Sequence, residues 1–171
     1  MNLNDLVRKA FGSLKPAIRR VSPFDNQQIL EIESTSGIEP WKTDDFKRAT
    51  SDEGAGFLVA NESTSWHAPL VGFVLFNLGE TEACILRLNV LKEFRREKVA
   101  TSLLKRAEDA IAIAGSVKRE LGEEDIQRIV CSVPETLVEM QCFMRANGYK
   151  ICKTHRQRGA CDVYEFEKRI L

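Results

Sequence analysis

The sequence is poor in several features that define common classes of protein. Of its 171 residues only two are histidines, and none of its five cysteines forms a C-x-x-C pair, so neither a zinc site nor a disulfide framework is expected. Basic and acidic residues are equal at 25 each, so overall charge selects neither a nucleic acid nor a membrane surface as partner. No apolar run approaches the roughly 20 residues of a membrane span, and no signal peptide is recognisable. We therefore expect a cytoplasmic protein with buried, reduced thiols and no metal ion.

Apolar residues, which make up 43% of the chain, recur with helical or strand spacing along its length. Residues 2–13 have the spacing of an amphipathic helix that Pro16 ends. This N-terminal helix, residues 1–16, either packs on the domain or on a second copy of the chain, or binds a partner or a membrane surface; a homodimer is left open. Residues 17–171 are expected to form a single domain.

The remaining pattern predicts an α/β protein with a mixed sheet. Strands are expected at residues 17–21, 57–60, 70–78, 84–90, 128–133, 149–154 and 163–168. Helices are expected from Ser22 to Gly37, from Thr43 onwards, from the turn at residues 95–98 to about Leu121, and from Pro134 to Asn147. The order is βααβββαβαββ. Because a helix joins strand 84–90 to strand 128–133, these two should be parallel neighbours, with helices on both faces of the sheet.

One stretch of this pattern suggests a binding site. An apolar strand ending at Val90 leads into a basic turn and then into an amphipathic helix without proline or glycine, within the sequence NVLKEFRREKVATSLLKR. The first N–H groups of a helix have no acceptor inside the helix and carry the positive end of its dipole. Such a helix start holds phosphate groups, so a phosphate-rich ligand is expected here.

This unit resembles the pyrophosphate motif Q/R-x-x-G-x-G/A of the GNAT superfamily of acyl-CoA-dependent N-acetyltransferases. The motif's six places are filled by Arg95, Arg96, Glu97, Lys98, Val99 and Ala100. The first and last places match, whereas Lys98 stands where the family has a glycine that relieves a positive φ or lets the backbone approach the diphosphate. With lysine at this place, binding of acyl-CoA is still expected.

The resemblance covers about residues 17–169 and implies a GNAT-like acyl-CoA N-acyltransferase fold with acetyl-CoA as co-substrate. It implies that the six motif residues and Thr101 bind the diphosphate. It also implies that the strand backbone at Leu88, Asn89 and Val90 holds the pantetheine arm and the thioester carbonyl, a contact that does not depend on side-chain identity.

Other segments are similar to the group of GNAT enzymes that acetylate ribosomal-protein alanine, which act on protein N-termini. The similar residues are Ile32-Glu33, Pro40-Trp41 and Phe46 near the start, Val133, Glu135, Gly148 and Tyr149 around the last helix, and Asp162 and Tyr164 near the end. The resemblance implies an amine acceptor at the N-terminus of a protein or peptide. Trp41 has two interpretations: it anchors a loop on the core, or it lines the acceptor groove.

Three positions depart from that group. Ser132 stands where the group has its general-base glutamate, Leu137 where it has asparagine, and Met144 where it has the tyrosine that protonates the leaving thiolate. None of the three does the same proton chemistry, because methionine has no proton to give and serine is not a base near neutral pH. Weak substitutes are Ser132 itself, Tyr149, Tyr164 and His155.

Two accounts of the chemistry follow from these departures. The enzyme works mainly by holding an amine beside the thioester, or the chain binds acyl-CoA with little or no turnover. A GNAT enzyme acting on a small amine is a third hypothesis.

Overall fold

The structure is a computed structural model that describes residues 16–65, 67–156 and 159–170. The predicted N-terminal helix, residues 1–16, lies outside these residues except for Pro16. No helix in the described ranges is both long enough and apolar enough to cross a membrane.

Within the described ranges, seven strands and four helices follow one another in the predicted order βααβββαβαββ. The strands are β1 (Ala17–Arg20), β2 (Ala55–Asn61), β3 (Leu70–Leu78), β4 (Glu82–Val90), β5 (Arg128–Pro134), β6 (Lys150–His155) and β7 (Val163–Arg169). The helices are α1 (Asn26–Glu33), α2 (Thr43–Thr50), α3 (Val99–Glu120) and α4 (Val138–Ala146). A short 3₁₀ turn at Pro23–Asp25 precedes α1, and another at Lys92–Phe94 follows β4.

All seven strands form one mixed sheet in the order β1-β2-β3-β4-β5-β7-β6. Strands β1 to β4 are neighbours in the sheet, each antiparallel to the next. Strand β5 is parallel to β4, because α3 carries the chain back across the sheet, and this confirms the predicted crossover. Strand β7 lies between β5 and β6 and is antiparallel to both.

Helices cover the two faces of the sheet unequally. Helices α3 and α4 pack on one face, the α3/α4 face, over a core that includes Leu103, Ile111 and Met144 from the helices and Phe166 from β7. Helices α1 and α2 pack on the other, the α1/α2 face, where Ile32 and Phe46 meet the apolar residues of β2 and β3. Only the β1–β4 half of the sheet contributes to that second core, so the polar side chains of β5, β6 and β7 on the α1/α2 face remain accessible.

The last helix begins later than the sequence predicts. The presence of Pro134 indicates a helix start, but Pro134 is the final residue of β5 and pairs with Val163 of β7. The N–H of Glu135 then donates to the carbonyl of Asp162, which prolongs the contact between the two strands by one residue. The helix therefore starts at Val138, after a turn, and it ends as predicted just before Gly148, whose φ is +88°.

The five cysteines are all free thiols, as expected. Cys131 is buried, which raises the pKa of its thiol to about 12, and Cys84 and Cys161 are half-buried. The expectation of burial is wrong for Cys142 and Cys152, which are exposed. Cys152 lies on β6, an edge strand whose residues are all exposed, so a strand pattern there does not imply burial.

Candidate active site

Strands β4 and β5 run side by side at one end and then separate. Their ladder begins at Glu82 and Arg128 and ends at Ile85 and Cys131, although β4 continues to Val90. Leu86 is the extra residue of a β-bulge, because Ile85 and Arg87 pair with consecutive residues of β3. A bulge bends its strand, and this one directly follows the last β4–β5 pair. The result is a gap between two parallel strands, across which the described part of the chain forms no further ladder pair.

The bulge also decides which side chains face which side of the gap. Beyond it, Leu88 and Val90 pack into the core on the α3/α4 face, whereas Arg87 and Asn89 contact α1 and Trp41 on the α1/α2 face. A ligand could therefore contact the same stretch of β4 backbone from either face. This is the stretch that the sequence predicts to hold the pantetheine arm.

Helix α3 starts shortly after β4 ends, and its N-cap residue makes no side-chain capping hydrogen bond. Its N-cap residue, Lys98, has a left-handed backbone with φ 63° and ψ 11°, and Arg96 also has a positive φ of 69°. The N–H groups of Val99, Ala100 and Thr101 come first in the helix and have no intrahelical acceptor. Together with the helix dipole, these amides fit the diphosphate of an acyl-CoA.

Replacing Lys98 with glycine is expected to raise the free energy of unfolding by about 1 kcal/mol, because a left-handed residue with a Cβ is strained by about that amount. The midpoint of thermal unfolding should then rise by about 2–4 °C. The control is Lys98→Ala, which removes the same charge but keeps the strained backbone and should give no such gain. Equal stabilisation by both variants would mean that the charge of Lys98, and not its backbone conformation, is unfavourable.

Arg95, the first motif residue, makes contacts that the sequence does not predict. Its Nε donates to the carbonyl of Val90 at 3.0 Å, and its Nη2 donates to the carbonyl of Thr35 at 3.1 Å. The guanidinium thus ties the end of β4 to the segment that connects α1 with α2. Its predicted contact with the diphosphate stays a prediction, as do the contacts of the other motif residues.

A buried polar cluster supports the gap on the α1/α2 face. The carboxylate of Glu33, at the end of α1, is fully buried, and it accepts a hydrogen bond from the backbone N–H of Trp41 at 3.1 Å. The Nε of Arg87 lies 3.4 Å from Glu33 Oε1, which is an ion-pair distance without hydrogen-bond alignment. Asn89 Nδ2 donates to the carbonyl of Ile32 at 3.2 Å and lies 3.5 Å from the second carboxylate oxygen. The cluster therefore fixes β4, beyond its bulge, to α1.

The pKa and the contacts of Arg87 show how far this cluster is shielded from solvent. Burial lowers the pKa of its guanidinium, and the charges of Glu33 and Asp45 oppose that effect only in part. The guanidinium stacks over the ring of Trp41, 4.6 Å from the ring centroid. Trp41 also meets Phe46 edge-on at 5.4 Å between centroids. The Trp41 side chain is thus half-buried on the α2 core and adjoins the gap, so both interpretations of it keep support.

Of the three positions that depart from the family, Ser132 adjoins the gap and the other two lie in the core. Ser132 is exposed on β5, on the α1/α2 face, and follows directly after the last residue paired with β4. Leu137 and Met144 instead belong to the apolar core on the α3/α4 face, and Met144 is fully buried. Apolar groups therefore occupy the two positions where the resemblance implies asparagine and tyrosine.

The two candidate tyrosines are placed differently. Tyr149 is buried, and its hydroxyl donates to Glu108 at 2.9 Å; burial, followed by the negative charge of Glu108, raises its pKa. Tyr164 pairs with Val133 of β5, beside the gap, and is half-buried on the α3/α4 face. Its hydroxyl makes no hydrogen bond within the described residues. Of the two, Tyr164 is better placed to reach a sulfur atom in the gap.

The structure places His155 beside a carboxylate that the sequence did not single out. His155 Nε2 lies 3.2 Å from Glu165 Oε2, and Cys152 Sγ donates to Glu165 Oε1 at 3.4 Å. Glu165 is the direct partner of Ser132 in the β5–β7 ladder. The sequence does contain a signal for the Ser132–Glu165 pair, because each of these polar residues is next to an apolar residue of its strand, Cys131 or Phe166. The signal identifies the pair only once β5 and β7 are known to be neighbours.

The mixed α/β sheet, with two parallel strands that separate beside the start of α3, matches the fold of acyl-CoA-dependent N-acyltransferases. The sequence model of the acetyltransferase (GNAT) family matches residues 26–128, which is more than half of the chain. The chain therefore belongs to the GNAT acetyltransferase family. A search of the curated proteins finds no match.

Solved structures with similar folds include several N-acetyltransferases. The ribosomal-protein-S18-alanine N-acetyltransferase of Escherichia coli is 14% identical with a TM-score of 0.74, over 91% of this chain and 94% of that one. Ard1 from Thermoplasma volcanium is 24% identical with a TM-score of 0.71, over 91% and 98%. NAA60 from Arabidopsis thaliana, in complex with acetyl-CoA, is 15% identical with a TM-score of 0.71, over 91% and 99%. At these identities the similarity shows the fold.

Proposed function

We propose that this protein transfers the acetyl group of acetyl-CoA to a primary amine at the N-terminus of a protein or peptide. The observation that carries the proposal is the gap between β4 and β5. The amides at the start of α3 follow shortly after the end of β4 in the chain, and the exposed Ser132 of β5 adjoins the gap on the α1/α2 face. The name of the E. coli neighbour, which acts on an alanine of a ribosomal protein, supports a protein acceptor.

The residues around the gap have the following roles in this proposal. The amides of Val99, Ala100 and Thr101 hold the diphosphate, and the ammonium group of Lys98 adds a cation beside it. The backbone of Leu88–Val90 orients the pantetheine arm and donates to the carbonyl oxygen. When bound, acetyl-CoA supplies an acetyl group activated as a thioester.

The acceptor approaches from the α1/α2 face, where Trp41 and the exposed residues of β5 and β6 leave the sheet open. The C–N bond of the amide forms while the thioester C–S bond breaks, the amine gives up one proton, and the thiolate of coenzyme A takes one from solvent or from Tyr164. Holding the amine and the thioester together can supply several kcal/mol of the acceleration. The backbone part of this arrangement is independent of the side chains at Ser132, Leu137 and Met144.

The test uses the full chain, acetyl-CoA and a panel of short peptides with free N-termini, with mass spectrometry of the peptides. Exposed Cys142 and Cys152 would react with thiol reagents, so the peptide product is a cleaner readout than released thiol. The control peptide has a blocked N-terminus and an internal lysine. We expect an acetyl group on the free N-termini and none on the control. Acetylation of the control to the same extent would contradict an N-terminal acceptor.

A second candidate function is an acyl-CoA-binding module without turnover. It is favoured by the replacement of the family's proton-transfer groups with Ser132, Leu137 and the fully buried Met144. Calorimetry with acetyl-CoA separates the two functions when it is combined with the peptide assay. Saturable binding without product on any peptide or small amine supports the module, and product formation rejects it.

A further inference from the structure

Polar side chains lie on the α1/α2 face of the sheet, next to the gap, on three adjacent strands. They are Ser132 on β5, Glu165 on β7, and Cys152 and His155 on β6. Ser132 and Glu165 are directly opposite in the antiparallel β5–β7 ladder, so their side chains share a face and their Cβ atoms lie about 4.5–5.5 Å apart. Glu165 is therefore one strand away from the edge of the gap.

The contacts of Glu165 keep its carboxylate ionised and partly accessible. Its side chain is 19% exposed and lies next to that of His155, which is 49% exposed. Partial burial raises the pKa of the Glu165 carboxyl, but hydrogen bonds with His155 and Cys152 and the charge of Lys153 outweigh it, so the pKa lies below its ordinary value. The charge of Glu165 also contributes, after burial and Glu82, to the raised pKa of Cys84 on β4.

The other carboxylates on this face of β4, β5 and β7 are occupied, within the residues that the structure describes. Glu82 and Glu167 each lie 2.8 Å from a nitrogen of Arg128, at the end of the sheet where β4 and β5 are still paired. Glu33, from α1, is fully buried beside Arg87. Glu165 also has partners, His155 and Cys152, but it is the one that lies opposite Ser132, the residue next to the gap.

We propose that Glu165 accepts the proton that the acceptor amine releases and that His155 passes this proton to solvent. The inference rests on the proposed function. As the C–N bond forms and the thioester C–S bond breaks, the proton moves from nitrogen to Glu165, directly or through a water molecule or the hydroxyl of Ser132. The thiolate of coenzyme A is protonated separately. A short side chain at Ser132 leaves room over β5 for Glu165 to reach the amine.

The test compares Glu165→Gln with Glu167→Gln, a matched variant on the same strand and face whose partner Arg128 lies away from the gap. We expect Glu165→Gln to lower kcat on an N-terminal peptide by about 100-fold, the size of a general-base contribution. The KM for the peptide and the affinity for acetyl-CoA, measured by calorimetry, should not change. Glu167→Gln should retain the wild-type kcat.

A second pair of variants tests the location of the carboxylate and the role of His155. In the Glu165→Gln background, Ser132→Glu places a carboxylate at the facing position of β5 and should recover about tenfold or more of the lost kcat. His155→Gln should lower kcat, and imidazole in the buffer should restore it. If Glu165 and His155 had only structural roles, neither Ser132→Glu nor imidazole would restore kcat.

The outcomes separate this inference from the proposed function. If the wild-type chain binds acetyl-CoA but acetylates no peptide, both are overturned. If the wild type is active and Glu165→Gln is as active as Glu167→Gln, only the inference fails. It also fails if Ser132→Glu gives no recovery, because the loss in Glu165→Gln would then come from a disturbed sheet. Wild-type kcat in His155→Gln would overturn the role of His155.

Discussion

Replacement of Glu33 with alanine is expected to lower the free energy of unfolding by about 3–5 kcal/mol, because it would leave a buried charge without its partner. The charge belongs to Arg87, whose side chain is only 14% exposed, while that of Glu33 is fully buried. The substitution also removes the acceptor for the backbone N–H of Trp41. Denaturant unfolding followed by circular dichroism measures the effect.

Two further variants show whether the buried charge is the cause. Glu31→Ala, on the exposed side of the same helix, should change the free energy of unfolding by no more than about 0.5 kcal/mol. The double variant Glu33→Gln with Arg87→Met keeps an acceptor for Trp41 and removes both charges, so it should recover most of the lost stability. If Glu33→Ala is no more destabilising than Glu31→Ala, the cluster does not hold β4 to α1.

Replacement of Thr101 with glutamate is expected to weaken binding of acetyl-CoA by tenfold or more, about 1.4 kcal/mol, while the helix itself becomes slightly more stable. Thr101 is exposed in the first turn of α3. An acidic side chain there interacts favourably with the helix dipole, but it repels a diphosphate bound at the same amides. Calorimetry at low salt measures the affinity, and thermal unfolding measures the stability.

Thr101→Gln is the matched neutral variant and should bind acetyl-CoA almost as well as the wild type. Added salt should reduce the difference between the glutamate and glutamine variants, because the repulsion acts between groups close to solvent. Equal affinities of the two variants at low salt would place the diphosphate elsewhere. In that case the amides of α3 would not be the anion site.

Local patterns in the sequence determined most of the fold. The strand Leu70–Leu78 has the bounds that its apolar run predicts, and the second helix begins at Thr43, as its first residues predict. The error at Pro134 arose because proline is common both at helix starts and at the ends of strands, and only pairing with Val163 distinguishes the two. Tertiary contact, and not local propensity, decides that boundary.

The site is harder to predict from the sequence than the fold, because its main features depend on contacts between residues that are far apart in the sequence. Nothing in the residues around Leu86 marks a bulge or the separation of β4 from β5. Neither Arg96 nor Lys98 is a glycine, so their residue types do not indicate the positive φ angles found there. Arg87 and Glu33 are far apart in sequence, and their ion pair depends on the way α1 crosses β4.

The extra residue in β4 also explains how the fold can keep its gap when the side chains used for proton transfer change. The opening between the strands comes from one additional backbone unit, so exchanges of side chains at Ser132, Leu137 or Met144 do not close it. Removing Leu86 would be different: Ile85 and Arg87 would become consecutive residues opposite Phe76 and Leu75, the later side chains of β4 would keep their faces, and the straightened strand would be able to continue its ladder with β5 beyond Cys131. Side chains that take part in the reaction can therefore be replaced without loss of the gap, whereas the number of residues in β4 cannot change.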